Sequence, residues 1–123
     1  MRRMVPILLV LAAPVLGGAT RQTTIPAEFI GDWSSAVERC AAGPADNANI
    51  RIGPREIQEF GTRLAVRYVV KQGASGLFVD GHLTVTGSRQ RSHTATRLEL
   101  LEGGAVLNVG EGEDSGRYMR CKP

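Results

Sequence analysis

From Gly31 onward, apolar and polar residues alternate in short runs, separated by glycine-containing turns at a spacing of about ten residues. A period of two marks strands that bury one face, and no stretch beyond Phe29 sustains a helical period. The runs are Ile50 to Ile52, Glu56 to Glu59, Thr62 to Lys71, Leu77 to Thr86, Arg91 to Leu101, the segment of Leu107 and Val109, and Gly116 to Cys121. Together with the segment of Trp33 they predict about eight antiparallel strands in meander order. Eight is the number at which a small barrel closes around its own side chains or one small ligand. The expected fold is all-β, a small antiparallel meander barrel.

Turn chemistry sets the registers. Phe60-Gly61 returns the chain into the strand from Thr62, and Gly87-Ser88 and Gly103-Gly104 suit two-residue hairpin turns. The last of these places Leu100 opposite Leu107 and Leu98 opposite Val109; a one-residue slip would invert every face. Gly87-Ser88 places Thr84 opposite Arg91 and His82 opposite His93. A turn at Asp80-Gly81 is the competing choice, but it leaves only Leu77 to Val79 as a strand before it, so Gly81 is read as a bulge or tight bend. The alternation puts Leu64, Val66, Tyr68 and Val70 on one inner face, and Leu77, Val79, Leu83 and Val85 on the next. Thr94 and Thr96 point inward with Leu98. Before the strands, Thr20 to Thr24 read as a loose leader, Ile25 to Phe29 as one helical turn, Ala36 to Ala41 as another, and Gly43 to Ala48 as a loop.

Charge and cysteines set the compartment. Residues 1–19 have the parts of a secretory signal: Arg2 and Arg3, an apolar run from Met4 to Leu16, and the small residues Gly17-Gly18-Ala19. Pro6 and Pro14 interrupt the run, which is shorter than the about 20 residues of a spanning helix. Cleavage after Ala19 would leave a leader, residues 20–28, and one domain, residues 29–123, soluble and periplasmic or secreted, with no membrane insertion. Without Arg2 and Arg3, thirteen cationic residues face twelve acidic ones, a net charge of +1. That balance, with no basic block, argues against a nucleic-acid partner. Two cysteines in an exported chain predict a Cys40–Cys121 disulfide, and the absence of a Cys-x-x-Cys motif argues against redox chemistry. Closing a loop of roughly 80 residues is worth about 4 kcal/mol in the chain-entropy description. It also lays the exit of the first strand beside the last, hiding both sheet edges.

Gly31-x-Trp33 at the opening of the first strand, with Arg117 or Arg120 near the end of the last, resembles the structural signature of lipocalin-type barrels. The resemblance implies that Trp33 closes one barrel end and that an arginine packs on its face, a cation–π contact of about 0.5–2 kcal/mol. The mature chain also resembles small exported proteobacterial single-disulfide proteins of unassigned function. These share a Phe-x-Gly-x-Trp start, a cysteine soon after and a Tyr-x-Arg-Cys end. The matching residues here are Phe29, Gly31, Trp33, Cys40, Tyr118, Arg120 and Cys121. Neither resemblance carries a ligand class.

Candidate chemistry is sparse. His82 opposite His93, with Asp80 on the same face, is a weak candidate for a divalent transition metal. The competing reading is an exposed histidine pair whose neighbours Arg89, Arg91 and Arg97 oppose a cation. Ser34, Ser35, Ser75, Ser88, Ser92 and Ser115 include none in a nucleophile elbow, and Ser92 and its neighbour His93 point to opposite faces. Glu111-Gly112-Glu113-Asp114 lacks the ligand spacing of a calcium loop and reads as a solvated turn. Gly103-Gly104 and Gly110-x-Gly112 are turn glycines without a phosphate-loop pattern. Phe78, if joined by Val69 and Ala65, would form an apolar partner surface.

The function expected is a non-enzymatic binding module without cofactor, meeting a protein or peptide partner through its surface or loops. Capture of a small apolar ligand in the barrel mouth is the alternative, and inhibition of an exported hydrolase a second one.

Overall fold

In the computed structural model residues 20–122 are described, so the segment expected to be a secretory signal, residues 1–19, lies outside the described residues. The strands are β1 (Arg21–Gln22), β2 (Gly31–Ser34), β3 (Asn49–Ile52), β4 (Glu56–Glu59), β5 (Thr62–Gln72), β6 (Gly76–Val85), β7 (Arg91–Leu101), β8 (Val106–Val109) and β9 (Gly116–Arg120). Strands β2 to β9 each pair with the next, and β9 returns to β2 through Trp33 opposite Arg120. The result is a closed eight-stranded antiparallel barrel with an up-and-down path.

The turns produce the registers that their residues demand. Glu59 faces Thr62 across Phe60-Gly61, Leu100 faces Leu107, Leu98 faces Val109, and His82 faces His93. The Cys40–Cys121 disulfide is formed, with a Cα–Cα distance of 5.9 Å. Cys40 lies in a 3-10 segment, Val37–Ala45, broken at Gly43 where φ is 64°. The Asn49 side chain donates to the carbonyls of Arg39 and Gly43, holding this segment on β3 within reach of Cys121. A disulfide belongs to an oxidising compartment, and among the described residues no helix is long and apolar enough to cross a membrane.

Two readings of the alternation need correction. A bulge in β5 lies between Val66 and Tyr68, so that Val66 faces Gly81 and Tyr68 faces Asp80. An extra residue reverses the faces beyond it. Val69 therefore fills the core, fully buried opposite Val79, while Tyr68 and Val70 turn outward. Gly81 is the close approach that the bulge requires, since a Cβ there would strike the Ala65 carbonyl. A patch of Phe78 with Val69 does not form; Phe78 instead lies 6.2 Å from the Tyr68 ring on the outer wall. The leader is not loose either. Arg21 and Gln22 pair with Val70 and Val69, the Arg21 guanidinium stacks 4.1 Å from the Tyr68 ring, and Ile25 is buried with its N–H donating to Pro54.

The core is denser at one end. Ile25, Phe29, Trp33, Ile50, Ile52, Val69, Leu77, Val79, Leu98 and Leu107 fill that end and the waist. Ala27–Phe29 forms a 3-10 turn that lays Phe29 across it, and the Trp33 indole N–H donates to the Phe29 carbonyl at 3.0 Å. Arg120 seals the outside, its guanidinium 4.1 Å from the Trp33 ring and its N–H groups on the carbonyls of Glu28, Ile30 and Gly104. At Gly31, where φ is 140°, a Cβ would lie 3.3 Å from Arg120 Nη1, and a side chain there would be strained.

Candidate functional site

The opposite end, between the β4–β5 and β6–β7 hairpins, stays open. Because faces alternate with period two, Glu59 points inward with Ile57, and Thr62 and Leu64 face them across β4 and β5. On β7, Thr94 and Thr96 share the inward face of the buried Leu98. These residues, with Leu83 and Val109, line an inner cavity of about 310 Å³, at the small end of the usual range for ligand pockets, roughly 300–1,000 Å³. Its wall is mostly aliphatic, with three threonine hydroxyls and one carboxyl.

That carboxyl is out of place. Burial holds Glu59 above the ordinary carboxylate range, with no other cause acting on it. Water reaches the residue through the mouth, but the barrel wall encloses its inner side, and that enclosure disfavours the charge. Among the described residues no cation or hydrogen-bond donor answers Glu59. Nearby, Tyr118 shares the inward face of β9; burial first, then the Glu59 charge, pushes its phenol above 10.0. Gly116 leaves room for the Tyr118 ring, which a Cβ would crowd. The arrangement can receive an apolar body among the aliphatic and threonine side chains and set a donor or cation against Glu59.

The weak metal candidate takes a different form. His82 and His93 stand side by side, ring centroids 6.0 Å apart. Yet His93 Nε2 lies 2.7 Å from Asp80 Oδ2, and Arg67 Nη1 donates to Asp80 Oδ1 at 3.0 Å. Asp80, on the outer wall, is only 4% exposed because Arg67, thrown out by the bulge, and His93 cover it. Its oxygens are thus committed to protein donors, and no group of three or more His, Cys, Asp or Glu among the described residues is placed to hold a metal ion. Comparison of the chain with family models, curated proteins and solved structures finds no match.

The signature residues divide between structure and site. Gly31, Trp33 and Arg120 build the closed end, Cys40 and Cys121 staple it, and Arg117 pairs with Glu102 rather than with Trp33. Tyr118 reaches toward the mouth. Glu59 was not singled out by sequence, although its position two residues from Ile57 on a period-two strand was the signal that it faces inward.

Proposed function

We propose that the chain is an exported, non-enzymatic binding module whose barrel mouth takes a small amphipathic molecule, an apolar body carrying an amine. The observation that carries this reading is the Glu59 carboxyl, unanswered by any cation in the wall of an otherwise aliphatic and threonine-lined cavity. Glu59 keeps one side open to water, so its carboxylate is only partly desolvated; a partly enclosed carboxylate without a counter-ion is disfavoured, and a ligand ammonium offsets that cost. Export to the periplasm or beyond accords with the disulfide and with the signal-like composition of residues 1–19.

Calorimetric titration with octylamine, octanol and octanoate tests it. The amine is expected to bind best, the alcohol more weakly and the carboxylate least, with Glu59→Gln lowering amine affinity about tenfold or more, the loss of one charge-assisted contact. Octanoate binding as well as octylamine, or amine binding indifferent to Glu59→Gln, would refute the reading.

A protein- or peptide-facing role is the second reading. Phe60 and Val85 are 61% and 50% exposed on neighbouring hairpins beside the mouth. They border an outer cleft of about 730 Å³ that reaches Pro44 and Ala45. A periplasmic pull-down that loses its partner on Phe60→Ser would favour this role over small-molecule capture.

A further inference from the structure

The outer wall of β5, β6 and β7 carries a concave cationic groove apart from the mouth. Arg63, Thr84 and Arg91 lie in one line across the three strands, and Ala65, His82 and His93 in the next. Ala65 is the short residue of its line, flanked along β5 by Arg63 and Arg67. This low point between long side chains opens a hollow of about 280 Å³, bordered by all three arginines, His82, Thr84 and Glu56.

Two of the guanidinia are held from behind. Arg63 Nε donates to Glu56 at 2.7 Å, and Arg67 Nη1 to Asp80 at 3.0 Å. Each carboxylate occupies part of its guanidinium and fixes the side chain, so the remaining N–H groups are ordered before any ligand arrives. Arg91 has no carboxylate partner among the described residues. The hollow therefore holds three permanent positive charges against the single Glu56 carboxylate on its rim, with Asp80 shielded beneath Arg67. Arg63 and Arg91 sit two strands apart, a backbone separation of about 10 Å, which suits one tetrahedral group bridged by both forks.

We propose that this groove is a binding site for a phosphate monoester, whose two negative charges exceed what Glu56 contributes and whose oxygens accept from Arg63, Arg67, Arg91 and the Thr84 hydroxyl. A carboxylate, with two oxygens in one plane, meets one guanidinium edge at a time. The free ester and the head group of phosphatidic acid offer the same chemistry.

Titrating the full chain with inorganic phosphate at constant ionic strength, while following backbone amides by NMR, tests the proposal. The amides of Ala65, His82 and Thr84 are expected to shift together. Arg91→Gln should weaken binding about tenfold, the loss of one charge-assisted contact, whereas Arg51→Gln, at the closed end, should change nothing. Both are surface residues whose replacement keeps the barrel intact, which the unperturbed remainder of each spectrum verifies. Sedimentation with phosphatidylcholine vesicles containing phosphatidic acid, lost in Arg91→Gln, would assign the lipid head group as the source; phosphate shifts without sedimentation would assign a free ester. No shift at these amides, a shift that chloride reproduces, or one that persists in Arg91→Gln would overturn the site.

Discussion

The two ends of this barrel are built from opposite materials. At the closed end, Phe29 and Trp33 are almost wholly buried, the indole N–H has its acceptor, and Arg120 lies over the ring with its donors on three loop carbonyls. At the mouth, Thr62, Thr94, Thr96 and Glu59 stand inward among Ile57, Leu64, Leu83 and Val109, and an inner cavity remains. Every polar atom named at the first end is paired, while the Glu59 carboxyl at the second is not. Stability is thus concentrated where the first and last strands meet beside the disulfide. The mouth contributes little to it, and its polar lining is available for binding.

Replacing the tryptophan attacks the contrast most strongly. Trp33→Ala should cost about 3–5 kcal/mol by urea unfolding, the range for deleting a buried aromatic; a loss below about 1 kcal/mol would mean that the closed end is not the stabilising one. Arg120→Lys keeps the charge over the ring but gives up the fork that spans the carbonyls of Glu28, Ile30 and Gly104. It should cost about 1–2 kcal/mol.

At the mouth the sign reverses. The Glu59 pKa is raised in the fold by burial, so proton binding favours the native state. That contribution is fully present below the ordinary value of 4.5 and is lost as pH rises through the raised one. Glu59→Gln should therefore gain stability relative to the parent as pH climbs through this window, then hold a constant, small advantage at neutral pH. Parallel unfolding curves from acid to neutral pH would show it, and a variant that loses stability as pH rises would contradict the burial argument.

Much of the architecture was legible because turn residues and alternation agreed. Gly103-Gly104 set Leu100 against Leu107 and Leu98 against Val109, Gly87-Ser88 set His82 against His93, and those pairings stand in the barrel. Trp33 with Arg120, and Cys40 with Cys121, pinned the closure. The β5 bulge was hidden because Leu64, Val66, Tyr68 and Val70 form an unbroken apolar series; only Val69 on the opposite parity, and Gly81 on the partner strand, hinted at the reversal. Asp80 read as an outer-face residue, and so it is, but its burial depends on the bulge that throws Arg67 over it. Glu59 drew no notice because Glu56-Ile57-Gln58-Glu59 is polar at three of four positions, and its setting appears only once five strands surround it.

The proposed binding role turns on the Glu59 carboxyl, which no cation among the described residues answers. Carbon-detected NMR titration of the Glu59 side chain, without and with saturating octylamine, tests it directly. The expected result is a pKa above the ordinary carboxylate range in the free protein, drawn downward by the bound ammonium, which favours the charged form. A Glu59 carboxyl that titrates at the ordinary value and does not respond to the amine would contradict it.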